Sequence, residues 1–110
     1  MAARETRLFI VCGLLAAGCA REAPNVHNPD PALKVPAIEI AANQHDRSVV
    51  PQLIKDLESD DPAVRFYAIG GLRAITGENF GYRYYDDDRE HIPAVKRWQD
   101  WLAHQPAQQR

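Results

Sequence analysis

The sequence predicts an all-α chain: a short antiparallel hairpin stack of about four helices, preceded by a signal peptide and a flexible tether. Two observations carry that prediction. Apolar residues recur at intervals of three and four along several separate stretches, which is the period of a helix face. Between those stretches stand Asp, Pro and Gly, the residues that start and stop helices.

The chain begins with Arg4 and Arg7 ahead of an apolar run from Leu8 to Ala17, with small residues after it. That order is the order of an export signal. The run spans ten residues, about half of the ~20 that a helix needs to cross the hydrocarbon core. Residues 1–18 therefore read as a cleaved signal and not as a permanent span. Residues 19–33 follow with Pro24, Pro29 and Pro31, and with only Val26 and Leu33 as sizeable apolar side chains. Proline disfavours helix at itself and at the residue before it, so this stretch is expected to be an extended, mobile tether.

A folded domain is expected over residues 34–104, with 105–110 a disordered tail. Val35, Ile38, Ala41 and Ala42 mark a first helix from Pro36 to Gln44, with Pro36 in its first turn. In the next segment, Ser48 to Glu58, the stripe is Val49, Val50, Leu53, Ile54 and Leu57, with Lys55, Asp56 and Glu58 outside it. Asp46 or Ser48 caps that segment. A break at Ser59-Asp60-Asp61-Pro62 gives the third helix Asp61 as N-cap and Pro62 at its first position. Its stripe runs through Val64, Tyr67, Ala68, Gly71, Leu72 and Ile75 and stops at Gly77. Gly70 and Gly71 each weaken that helix by roughly 1 kcal/mol and are read as places where another helix comes close.

An aromatic-rich loop, Phe80 to Tyr85, precedes Asp86-Asp87-Asp88, whose charges complement a helix N-terminus. The last helix, from Arg89 to His104, carries Ile92, Val95, Trp98 and Leu102 on one face with Trp101 beside them. Each buried aromatic removes ~150–250 Å² from water. Phe80, Tyr82, Trp98 and Trp101 are accordingly expected to cap the stack.

Composition narrows the function classes. The 110 residues hold 13 basic and 15 acidic side chains, with 45% hydrophobic and 25% charged residues, the balance of a foldable globular chain. The formal charge is −2, and no basic cluster of the kind that binds nucleic acid is present, so no nucleic-acid partner is expected. Removal of residues 1–18 takes Arg4, Arg7 and Glu5 with it, leaving 11 bases, 14 acids and a charge of −3.

Leu15-Ala16-Ala17-Gly18-Cys19 resembles the lipobox of bacterial lipoproteins, with Ala16 where that motif most often has Leu. The resemblance implies diacylation of Cys19 and cleavage after Gly18. With Ala20 and not Asp following, it also implies sorting to the outer membrane, facing the periplasm. Cys12 leaves with the signal, so Cys19 becomes the sole cysteine and cannot form an internal disulfide. Two acyl chains also meet the two-signal requirement for stable anchoring. The alternative is a secreted or periplasmic chain cut by the ordinary signal peptidase.

Val50-Pro51-Gln52-Leu53-Ile54-x-x-Leu57, then Asp60-Asp61-Pro62-Ala63-Val64-Arg65 and Ala68-Ile69-x-x-Leu72-x-x-Ile75-Thr76-Gly77, resemble a HEAT-type (armadillo-like) helical repeat. That resemblance implies a structural Arg65, bonded back to acids or carbonyls of the neighbouring helix. It also implies that the 36–45 helix is the second half of a preceding unit. A full unit takes ~40–47 residues and stability normally needs three or more, so the shortage must be made good elsewhere. The Thr-Gly stop, the Phe-Gly-Tyr loop and Arg97-Trp98-x-x-Trp101 are together similar to small exported bacterial proteins with HEAT-like domains.

Catalytic constellations are sparse. Asp86-Asp87-Asp88 with Glu90 and His91 is an oxygen-rich cluster of the kind that suits a hard cation, but it lacks the alternating acids and Gly of a calcium loop. His27, His45, His91 and His104 are too scattered for a zinc set. Ser48 and Ser59, the only serines, read as caps, and no nucleophile elbow or phosphate loop occurs. Tyr84 and Tyr85, then Tyr82 and Trp101, are the candidate partner-binding residues, since Tyr and Trp are favoured at interfaces. The expectation is a non-catalytic, lipid-anchored envelope protein with a HEAT-like interaction module, no cofactor and an envelope protein as partner. The competing readings are an unlipidated accessory protein, and a metal protein or enzyme built on Asp86 to His91.

Overall fold

Four aspartates open the helical segments. The carboxylates of Asp30, Asp46, Asp61 and Asp87 accept hydrogen bonds from the backbone amides of Ala32, Ser48, Ala63 and Arg89, respectively. Each satisfies an amide that the first turn leaves without a partner, a contribution of about 1 kcal/mol per cap. The computed structural model describes residues 22–107, so residues 1–18, read as an export signal, and Cys19 lie outside the described residues. Among the described residues the regular structure is all helical: α1 (Pro31–Asn43), α2 (Val50–Asp56), α3 (Pro62–Thr76) and α4 (Asp88–Ala103), with a 3-10 turn at Arg47–Val49 leading into α2.

Helix α3 is the centre of the fold, packed against both α1 and α2, and α4 packs on α2. The stripe read from the sequence is the one that faces inward: Val64, Ala68, Gly71, Leu72 and Ile75 are buried, with Ile69. Ile38, Val50, Leu53, Leu57, Leu72 and Trp98 are the largest fully buried side chains. Gly77, at φ 81°, ends α3 in the left-handed conformation that glycine adopts without steric cost.

Two prolines sit inside helices at the same distance from their caps. Pro36 and Pro93 are each the sixth residue of their helix, six positions after Asp30 and Asp87. Each removes one hydrogen bond from the ladder. The residues whose carbonyls lose that partner, Ala32 and Arg89, are exposed.

Five expectations need correction. The first helix starts at Pro31, not Pro36, because Asp30 caps it and Pro31 occupies the first position, where a missing amide is harmless. The stretch read as a tether is therefore ordered for much of its length. Residues 25–30 form a turn on the domain, with Asn25 N–H donating to the Leu33 carbonyl at 3.1 Å and Val26 buried in the core. Asp56 is buried, not outside the stripe, because its partner Lys34 comes from α1. Ile92 is 68% exposed: it lies in the first turns of α4, beside a hollow lined by Leu57 and Val95. Gly70 has open space where a Cβ would be, so only Gly71 serves a close helix approach.

Candidate functional site

The loop between α3 and α4 is tied to the domain by its backbone. Asn79 O accepts from Tyr82 N–H at 3.0 Å, closing a turn in which Phe80 and Gly81 both have positive φ (53° and 75°). A bulky residue in that region is uncommon and must be held there. Arg97 Nε–H donates to the Phe80 carbonyl at 2.9 Å, Trp98 Nε1–H to that of Asn79 at 3.2 Å, and the Phe80 ring meets Trp98 edge-on at 4.7 Å. Further along, Arg65 donates from Nε to the Tyr84 carbonyl at 3.0 Å and from Nη1 to the Ser59 carbonyl at 2.7 Å. One guanidinium thus joins the α2–α3 turn to the aromatic loop.

The four candidate partner residues separate by burial. Tyr82 is 2% exposed, its hydroxyl donating to the Leu57 carbonyl at 2.6 Å, so it belongs to the core and reaches the surface only as part of the lining of the groove that Tyr84 and Tyr85 also line. Burial pushes its pKa up to about 12, with the Arg65 charge opposing the rise. Trp101 is half-buried against Phe80 and Trp98. Tyr84 is half-buried, edge-on to Phe66 at 5.1 Å and to Tyr85 at 5.3 Å. Tyr85 stands 66% exposed, with the Arg83 guanidinium 5.7 Å from its ring centre.

A residue missed in the sequence completes this surface. Phe66, off the apolar stripe of α3, is 49% exposed and also meets Tyr67 edge-on at 5.2 Å. Its position was legible as a large aromatic on the face that the stripe leaves outward. Phe66, Gly70, Arg73, Arg83, Tyr84 and Tyr85 line a groove of about 320 Å³. A second hollow of about 260 Å³ adjoins it across Phe66 and Gly70 and runs toward Glu39 and Asn43 of α1. The absent side chain at Gly70 leaves the floor open between the two.

The acidic segment is occupied with its own structure. Asp86 pairs with Arg83 at 3.0 Å, which raises the Arg83 pKa. Asp87 caps α4, and hydrogen bonding with Glu90, then with the Arg89 amide, holds its carboxyl below the usual range. The same contact raises Glu90. His91 stacks on Tyr82 at 4.9 Å, and its Nε2–H donates to the Arg83 carbonyl at 2.8 Å. Among the described residues no three His, Cys, Asp or Glu side chains converge as a metal-binding group. No described helix is long and apolar enough to cross a membrane.

Compared with known proteins, the chain matches no family model, no curated protein and no solved structure.

Proposed function

We propose that the chain is a lipid-anchored protein of the bacterial cell envelope, whose small helical domain works stoichiometrically as an interaction module. Leu15-Ala16-Ala17-Gly18-Cys19 supports the anchor, held at the outer membrane through a diacylated Cys19. The HEAT-like reading draws support from the pairing of α2 with α3, the packing of α1 on α3 and α4 on α2, and the Arg65 bond to the Ser59 carbonyl.

The observation that carries the module reading is the groove across α3, where Phe66 and Tyr85 stay exposed around the unfilled Gly70. Exposed aromatics beside a concavity favour protein contact, because they supply large contact area at low entropy cost. A photocrosslinking residue placed at Phe66 or Tyr85 in cells tests the reading. A discrete protein adduct is expected from both positions, lost when Gly70→Leu fills the groove and absent from Lys96 on α4. Adducts no different from those at Lys96 would remove the module.

A further inference from the structure

The first residues held on the domain lie close in sequence to the one expected to carry the lipid. From Asn25 onward the backbone is fixed on the domain: Asn25 N–H bonds the Leu33 carbonyl, His27 N–H bonds Asn25 Oδ1 at 2.8 Å, and His27 Nδ1 lies 3.2 Å from Gln52 Oε1 of α2. Upstream, the Asn28 side-chain amide donates to Glu22 Oε2 at 3.4 Å. Cys19 and Asn25 are six residues apart, a span of at most ~20 Å fully extended. The same limit applied to the whole of residues 19–33 would give ~50 Å. A folded chain of this length has a radius of gyration of ~12 Å and hence a width of ~30 Å. The link is therefore shorter than the domain is wide, and a lipid on Cys19 cannot let every face of the domain reach the bilayer equally.

The face at that end is set by α1. Pro24, Asn25 and Val26 share a concavity of about 290 Å³ with Ile40, Gln44 and Asp46. Ile40 stands 48% exposed on the outer side of α1. Glu39 and Asp46 flank it, so among the described residues this face carries no basic patch to attract anionic headgroups on its own. Its closeness to the membrane would come from the link and not from intrinsic affinity.

We infer that the α1 face around Ile40 is held against the bilayer surface by the short Cys19–Asn25 link. This rests on the lipid reading of Cys19.

The test uses the mature, full-length lipoprotein in phosphatidylcholine vesicles that carry an energy-transfer acceptor on their headgroups. Loss of the signal removes Cys12, and the lipid occupies Cys19, so Ile40→Cys or Lys96→Cys supplies one labelling site; both positions are exposed. Transfer is expected to be at least about twofold stronger from position 40 than from position 96, on the outer side of α4. Insertion of twenty Gly/Ser residues after Ala20 adds a coil of ~25 Å r.m.s. length and should abolish the difference. Equal transfer from the two positions in the unmodified chain overturns the inference, as does a difference that survives the insertion. A chain that fails to float with the vesicles at all defeats the lipid reading instead, and with it the orientation.

Discussion

The Lys34 ammonium lies 2.6 Å from Asp56 Oδ1, and both side chains are buried between α1 and α2. Gln52 donates to the same oxygen at 3.0 Å, while Asp56 Oδ2 has no partner among the described residues. The pair fixes how the first helix meets the second, and it is the one buried charge pair among the described residues. Removing one member strands the other in an apolar setting, which typically costs ~3–5 kcal/mol, whereas replacing both by apolar residues is often neutral. Asp56→Ala should therefore lower the denaturation midpoint far more than Lys34→Met combined with Asp56→Leu. Urea unfolding of the three chains checks the order.

Tyr82 ties a second contact to pH. Because burial raises its folded pKa to about 12 above the ordinary value of 10.0, the fold favours the neutral phenol. The unfolded chain ionises first as pH rises, so the stability from this group is complete below pH 10 and is lost between about 10 and 12. Tyr82→Phe should cost ~1 kcal/mol at pH 8 through the lost bond to Leu57 and should flatten the fall above pH 10. Unfolding midpoints from pH 8 to 11.5 measure both effects.

The adjacent glycines of α3 should respond in opposite directions to alanine. A Cβ at Gly71 would lie 3.0 Å from Leu53 Cδ1 and 3.1 Å from Ile38 Cγ2, and both of those side chains are fully buried. Overpacking there, at ~1–3 kcal/mol, exceeds the ~1 kcal/mol of helix propensity gained. Gly70→Ala meets nothing within 4 Å and should stabilise by up to ~1 kcal/mol. Thermal melts of the two variants should shift apart from the parent, Gly71→Ala downward and Gly70→Ala upward.

The helix boundaries that the sequence made legible are those whose signals are local. Asp61, Pro62 and Gly77 each act within one turn, and α3 begins and ends on them. Asp30 and Pro31 carry the same start signal, but Pro24 and Pro29 just upstream give residues 19–33 the composition of a tether. Long-range partners were not legible. Asp56 looks solvent-facing until Lys34 arrives from another helix, and although Tyr82 reads as part of the aromatic cap, the Leu57 carbonyl that receives its hydroxyl lies 25 residues away. Ile92 has the helical spacing of a core residue, yet α4 packs there beside a hollow. Phe66 was visible as an outlier from its stripe. Its closeness to Tyr84 depends on the path of the loop, which Arg65 and Arg97 hold from a distance.

Arg65 should control the order of that loop. It makes two bonds to carbonyls from one planar group, so lysine cannot reproduce the pair. Arg65→Lys should destabilise by ~1–2 kcal/mol and speed hydrogen exchange of the amides from Tyr84 to Asp86, while the α1 amides exchange at parent rates relative to global unfolding. Exchange measured residue by residue decides it.

Lipid attachment at Cys19 is the claim on which the envelope role stands, and metabolic labelling with a palmitate analogue tests it most directly. The parent chain should take up the label and partition with the membrane fraction, and Cys19→Ala should do neither. Equal labelling of the two chains, or none in either, would contradict a lipid-anchored protein.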